Sequence, residues 1–243
     1  MKGNKKFSKE KISVIFPVYN EEFIIEKTIR SYFNELNGKV DFELIIAEDG
    51  STDGTKKILD QLKKELPIKI YCSDERKGYM RAIIDASKCP KYDWVFLVDS
   101  DFQFNPKDFW KLFGYINQYD IILGIKEKRQ DGLLRLLLSK IFNLILRILF
   151  KVPYSDMDTG FRLINKKCID KVLNEVHLLK CFTAEFVIRS YFHGFKIKEV
   201  PVRHLKRENG ATNIYHPKKL PIIIIRELIG IVRLRKEINA ERS

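Results

Sequence analysis

Apolar positions along the first hundred residues fall into two alternating rhythms. Short, mostly apolar runs at Ile12–Phe16, Phe42–Ala47, Ile68–Tyr71 and Trp94–Val98 have the length and β-branched or aromatic content of buried strands. Between them, Glu22–Leu36, Thr52–Leu66 and Tyr79–Ser87 repeat their apolar residues at helical spacing. The second helix is entered through a turn at Asp53-Gly54, where Asp53 reads as a cap on the following backbone N–H groups. Strand alternating with helix predicts βαβ units and a mostly parallel α/β sheet covered by helices. In such a sheet ligands bind beyond the carboxyl ends of the strands. That rule selects Pro17–Glu22, Glu48–Asp53 and Asp99–Gln103, three polar or acidic strand ends on one edge.

Two longer stretches have another character. LLRLLLSKIFNLILRILF (Leu133–Phe150) is 18 residues long, enough to raise the question of a membrane span. At ~100° per residue, Arg135, Ser139, Lys140, Asn143 and Arg147 gather within an arc of roughly 140°, opposite a broad apolar face. A one-sided helix with cations on its polar arc lies in a membrane interface; the same stripe also fits a helix packed on the sheet. LPIIIIRELIGIVRLRK (Leu220–Lys236) is similar, with Lys219, Arg226 and Arg233 seven residues apart in one helical row. The expectation is a peripheral protein whose apolar helix faces meet a membrane surface or a membrane subunit.

Composition sharpens this in one respect. The 243 residues carry 45 Lys and Arg against 32 Asp and Glu, a net charge of +13 that calls for an anionic partner. A nucleic-acid partner would need basic residues interleaved with exposed aromatics or a known binding motif, and neither is present. The four cysteines, Cys72, Cys89, Cys168 and Cys181, form no CxxC pair and read as reduced thiols of a cytosolic protein. The basic N-terminus runs directly into the first strand and does not read as a signal peptide.

The strongest chemical signal is WVFLVDSDFQFNP (Trp94–Pro106). Asp99 and Asp101 end an apolar strand with one residue between them, so in extended chain both carboxylates face one way, with Gln103 continuing the row. Two such carboxylates repel unless a cation separates them. Oxygen ligands of this kind suit Mg²⁺ or Mn²⁺, which keep waters and accept phosphate oxygens as further ligands.

ISVIFPVYNEE (Ile12–Glu22), ELIIAEDGSTDGT (Glu43–Thr55), FLVDSDFQFNP, DMDTGFRLINK (Asp156–Lys166) and AEFVIRSYFHGFKIKEVPV (Ala184–Val202) follow one another as in family 2 glycosyltransferases of GT-A fold. HLKRENGATN (His204–Asn213) resembles the RxxGxSK signature of the polyprenyl-phosphate hexose synthases, such as dolichol-phosphate mannose synthase, with Asn213 where a cation is usual. The resemblance implies a GT-A catalytic domain over residues 1–215, followed by a basic amphipathic helix over 216–243. It places Pro17, Tyr19, Glu21 and Asp49 around the base and ribose, and Ser100 beside Asp99 on the nucleotide sugar. Arg76 and Lys77, before the third helix, are diphosphate candidates or a solvated turn. Asp99, Asp101 and Gln103 become the metal shell.

On the acceptor side, the resemblance implies that Asp156 or Asp158 serves the acceptor oxygen, Asp156 matching the motif better. Glu185 matches an acidic position near the sugar, or else pairs with Arg189 one turn on. Arg162, Arg207, Gly210 and Thr212 would hold the acceptor phosphate, Arg207 also serving the chemistry. The implied reaction is inverting transfer of a hexose from a nucleotide sugar, GDP-mannose before UDP-glucose, to dolichyl or polyprenyl phosphate at the cytosolic membrane face. Transfer to a sugar hydroxyl is the alternative; there Asp156 would be indispensable as a base.

Overall fold

The computed structural model describes residues 10–127, 132–207 and 220–242. All four expected strands form: β1 (Lys11–Val18), β2 (Asp41–Glu48), β3 (Ile68–Cys72) and β4 (Trp94–Val98). They alternate with α1 (Ile25–Leu36), α2 (Thr55–Glu65) and α3 (Tyr79–Ala86). All are parallel, β1 lying between β2 and β4, with β3 outside β2. β4 is buried along its whole length and β1 beyond its first residue, because helices cover both faces of the sheet. β3 sits at the edge, and there Lys69 and Tyr71 are admitted. α1 starts three residues later than its apolar spacing predicts. Glu22 is held in the preceding loop, donating its N–H to Asp53 Oδ2 and accepting the Gly54 N–H on Oε2. Asp53 also accepts the Thr55 N–H at 3.0 Å, the capping role expected of it.

The chain continues through α4 (Phe109–Phe113), β5 (Ile121–Glu127), α5 (Leu133–Phe150), β6 (Phe161–Asn165), α6 (Lys166–Val172), α7 (Phe182–Phe192), β7 (Ile197–Arg203) and α8 (Leu220–Glu241). The sheet has seven strands in the order β3-β2-β1-β4-β6-β5-β7. β6 is antiparallel to both its neighbours, whereas β5 and β7 are parallel. A reversed strand starts at the edge where the others end. The loop before β6, which carries Asp156, Asp158 and Gly160, therefore joins the carboxyl-end loops of β1, β2, β4, β5 and β7 on one rim.

Two apolar clusters flank the sheet. One takes Ile25, Ile29 and Leu36 of α1, Leu59 of α2 and Phe109 of α4. The other takes Ile83 of α3, Leu146 of α5, Ile169 of α6, Val187 of α7 and Ile231, Leu234 and Ile238 of α8. The C-terminal helix thus packs into the same core as the strands.

α5 forms as expected, but its polar arc does not face outward as a unit. Ser139 and Asn143 are each 4% exposed, whereas Leu134 and Ile148 are 64% and 66% exposed. Leu137, Ile141 and Leu144 complete the exposed apolar stripe. The two buried polar residues are turned inward because the loop before β6 offers them hydrogen-bond partners. α8 exposes Ile222, Ile225, Leu228, Ile229 and Val232 in the same manner. No helix among the described residues is long and apolar enough to cross a membrane.

Candidate active site

The carboxyl ends of the strands surround a cavity of about 620 Å³. β1 and the loop after it contribute Pro17, Tyr19 and Glu21; β2 contributes Asp49; β4 contributes Asp99, Ser100 and Asp101. Arg76, Asp158 and Arg207 also line it, so ten of the residues selected from sequence meet in one space.

At the nucleotide end, Asp49 accepts the backbone N–H groups of Lys77 and Gly78, at 2.7 and 2.9 Å, one on each carboxylate oxygen. This draws the 73–78 loop against β2. Gly50, at φ +70°, makes the approach possible, since a Cβ there would lie 2.7 Å from Arg76 N. The Arg76 guanidinium stacks 3.8 Å over the Tyr19 ring, a cation–π pair inside the cavity. Lys77 points away, its Nζ 3.4 Å from Asp85, and is not part of the lining.

At the centre, Asp99 Oδ1 accepts the Tyr79 hydroxyl at 2.7 Å, and Asp99 N donates to Gly160 O across the start of β6. A Cβ at Gly160 would collide with the Asp99 carboxylate, so glycine leaves the space this side chain occupies. Burial pushes Asp99 above the usual carboxylate range, eased by the Tyr79 hydroxyl and by the charges of Lys126 and Arg162. Burial, with the Asp99 charge added, pushes Asp101 up to about 6. Glu21 rises to about 7, mainly through burial, although Arg207 holds it at 2.8 Å and favours its ionised form. Arg207 also lies 3.9 Å from Asp101. One arginine thus faces two of the site's carboxylates.

The extended-chain argument fails one residue after the acidic pair. Phe102 adopts a left-handed conformation, φ +57°, which turns the chain. Gln103 is thereby directed away from the cavity: its Nε2 donates to Leu205 O, and its backbone N–H donates to Asp101 Oδ1. It ties the acidic turn to the segment after β7 and does not share a face with Asp99 and Asp101. The metal shell read from sequence reduces to the two aspartates.

The two aspartates left open by the sequence are placed differently. Asp158 lines the cavity, whereas Asp156 lies behind Lys126, accepting its backbone N–H at 3.3 Å with the ammonium 4.0 Å away. Arg162 lies beneath the floor, buried on β6, and donates to Thr183 O at 3.4 Å; it cannot reach an acceptor phosphate in this arrangement. Glu185 is also off the cavity. It accepts the N–H groups of His177, Leu178 and Leu179 and pairs with Arg189 at 3.0 Å, so it holds the loop before α7 in place. Gly210 and Thr212 lie outside the described residues.

Sequence reading passed over Tyr79, Lys126 and Lys180, all of which line the cavity. Lys126 had a usable signal: it ends the apolar run IILGIK on β5, another strand end on the same rim. Arg135 of α5 adds a further cation to the lining. Towards α5 and α8 the walls turn apolar, with Ile141, Phe142, Ile145, Ile223, Ile224 and Leu228.

The chemistry of the acidic pair fits Mg²⁺ or Mn²⁺: two neighbouring, partly buried carboxylates that supply hard oxygen donors. No group of three His, Cys, Asp or Glu side chains able to hold a metal forms among the described residues.

Comparison with known proteins identifies the family and the fold. Residues 13–173 match the glycosyl transferase family 2 pattern. The undecaprenyl-phosphate 4-deoxy-4-formamido-L-arabinose transferase of Pseudomonas fluorescens is 27% identical over 217 residues, covering 86% of this chain and 61% of its own. Glycosyltransferase AglD of Haloferax volcanii is 27% identical over 206 residues, covering 79% of this chain and 32% of its own. The chain thus spans less than two thirds of either relative. Glucosyl-3-phosphoglycerate synthase of Mycobacterium tuberculosis, crystallised with Mn²⁺, UDP-glucose and glycerol 3-phosphate, superposes with a TM-score of 0.71 at 18% identity, over 94% of this chain and 81% of that one. The mostly parallel seven-stranded sheet flanked by helices has the GT-A fold, and the chain belongs to glycosyl transferase family 2.

Proposed function

We propose that this protein transfers a hexose from a nucleotide sugar to a polyprenyl phosphate, with inversion at the anomeric carbon, at the cytosolic face of a membrane. The observation that carries the reading is the two-ended cavity. Its floor holds Asp99, Asp101 and the cations Lys126, Arg135 and Arg207; its walls toward α5 and α8 are aliphatic. A substrate with an anionic head and an apolar tail matches both ends. The names of the two curated relatives support the acceptor class in one case and the transferase activity in the other. GDP-mannose is the favoured donor, UDP-glucose the second.

In this reading Pro17, Tyr19, Glu21, Asp49 and Arg76 enclose the nucleoside, and Ser100 and Asp99 face its diphosphate. Asp99 and Asp101 would hold Mg²⁺ or Mn²⁺, which supplies Lewis-acid stabilisation of the departing diphosphate. The acceptor oxygen forms a bond to the anomeric carbon as the bond to the nucleoside diphosphate breaks. A phosphate monoester has its second pKa near ~6, so at neutral pH that oxygen is largely ionised and Asp158 has only to orient it. Lys126, Arg135 and Arg207 offset the charge of the two phosphate groups. The exposed apolar stripes of α5 and α8 lie beside the mouth and would rest on the bilayer that supplies the lipid, making the protein peripheral.

A direct test is transfer from a panel of radiolabelled nucleotide sugars to a short-chain polyprenyl phosphate, with Mn²⁺ or with a chelator. Transfer from one donor only when metal is present is the expected result. Turnover unaffected by the chelator, or glycosylation only of free sugar hydroxyls, would refute the assignment.

A further inference from the structure

Asn143 is a buried amide in a helix built largely of leucine, isoleucine and phenylalanine, at a depth where a leucine would be the ordinary choice. Its hydrogen bonds account for the choice. Oδ1 accepts the Met157 N–H at 2.9 Å, while Nδ2 donates to Asp158 Oδ1 at 2.9 Å and to Ser139 O at 3.0 Å. With one acceptor and two donors all engaged, the amide has a single orientation; exchanging its oxygen and nitrogen would set donor against donor and acceptor against acceptor. Ser139, one turn earlier, adds a longer contact from Oγ to the same carboxylate, at 3.3 Å.

We propose that Asn143 is a positioning residue for Asp158, fixing the acceptor-side carboxylate in the cavity by clamping residues 157–158 to the inner face of α5. The proposal rests on the reading of Asp158 as the residue that orients the acceptor. The rest of this loop is anchored elsewhere. Ser155 and Asp156 donate their N–H groups to Glu199, Thr159 Oγ1 donates to Gly124 O, and Gly160 O accepts the Asp99 N–H. Removing the amide of Asn143 therefore leaves the loop attached on both sides and weakens the hold on the segment that aims Asp158. The same helix presents Leu137, Ile141, Leu144 and Ile148 outward, so the element that would rest on the bilayer is the one that sets this carboxylate.

Asn143→Leu keeps an apolar side chain of similar size in the core and removes the clamp. Asn143→Ala serves as the second variant should leucine prevent folding. Both are compared with Asp158→Asn and with the double variants, in transfer to a short-chain polyprenyl phosphate and in calorimetric binding of the nucleotide sugar with Mn²⁺. The expected result is a loss of about tenfold or more in kcat/KM for the acceptor, since small displacements of an orienting group are costly. Donor affinity is expected to stay within about twofold, because independent sites do not couple, and each double variant to be no slower than Asp158→Asn alone. Wild-type turnover in the Asn143 variants, losses that multiply in the double variants, a parallel fall in donor affinity, or failure of both variants to fold would overturn the proposal. If Asp158→Asn itself turns over normally, the acceptor-side reading falls instead.

Discussion

In the proposed reaction the chemistry turns on Asp99 and Asp101, and their electrostatics yield a test without any substrate. Asp101 is raised to about 6 and Glu21 to about 7, both chiefly by burial. A carboxylate whose folded-state pKa exceeds its unfolded value near ~4 contributes stability at low pH that disappears as pH rises through the folded value. In chelator, the protein is therefore expected to lose thermal stability between about pH 5 and pH 7. Mn²⁺ should recover stability most above that window, where proton competition at Asp101 has ended. A melting temperature that rises through this range in chelator would contradict the charge arrangement. Gly160→Ala is expected to displace the Asp99 carboxylate and abolish metal-dependent nucleotide binding while the far-ultraviolet circular dichroism is retained. Retained binding in that variant would show that the close approach is not required. The sequence disclosed the acidic pair because it ends an apolar strand. It misled at Gln103, because nothing in a string of residues announces that Phe102 turns left-handed.

At the scale of elements, the strands up to β4 were legible because short apolar runs bounded by polar turns have few alternatives. The reversal of β6 was not, since periodicity carries no strand direction; it is set by pairing with β4 and β5. That reversal brings the loop before β6, with Asp158, onto the rim. For α5 the helical stripe was legible but its orientation was not: Leu134, Leu137, Ile141, Leu144 and Ile148 turned out to be external while Ser139 and Asn143 find partners within. Replacing Leu137 and Ile148 by glutamate should therefore leave the fold and donor binding unchanged. It should weaken binding to anionic vesicles by about 2 kcal/mol or more per residue, the burial value of such side chains. Co-sedimentation with vesicles measures this, and unchanged binding would point to a protein subunit as the cover for these faces.

Over the whole molecule, charge and shape act together. Several of the cations behind the net charge of +13 gather around a cavity that two helices with exposed apolar faces border. Association with anionic bilayers should fall as salt is raised from about 0.05 to 0.5 M, because the Debye length shrinks from more than ~10 Å to less than half that. The segment after β7 is laced to the acidic turn through Leu205 and Gln103 and through Arg207 and Asp101, and Arg207 also holds Glu21. Distant parts of the chain therefore converge on the same carboxylates. The central claim is that these carboxylates make nucleotide binding depend on a divalent ion. Isothermal titration of GDP and UDP in Mn²⁺ and in chelator, for wild type and Asp101→Asn, tests it most directly. The account predicts binding of one nucleotide by the wild type in Mn²⁺, with at least about tenfold weaker binding in chelator or in the variant; equal affinity in all three conditions would contradict it.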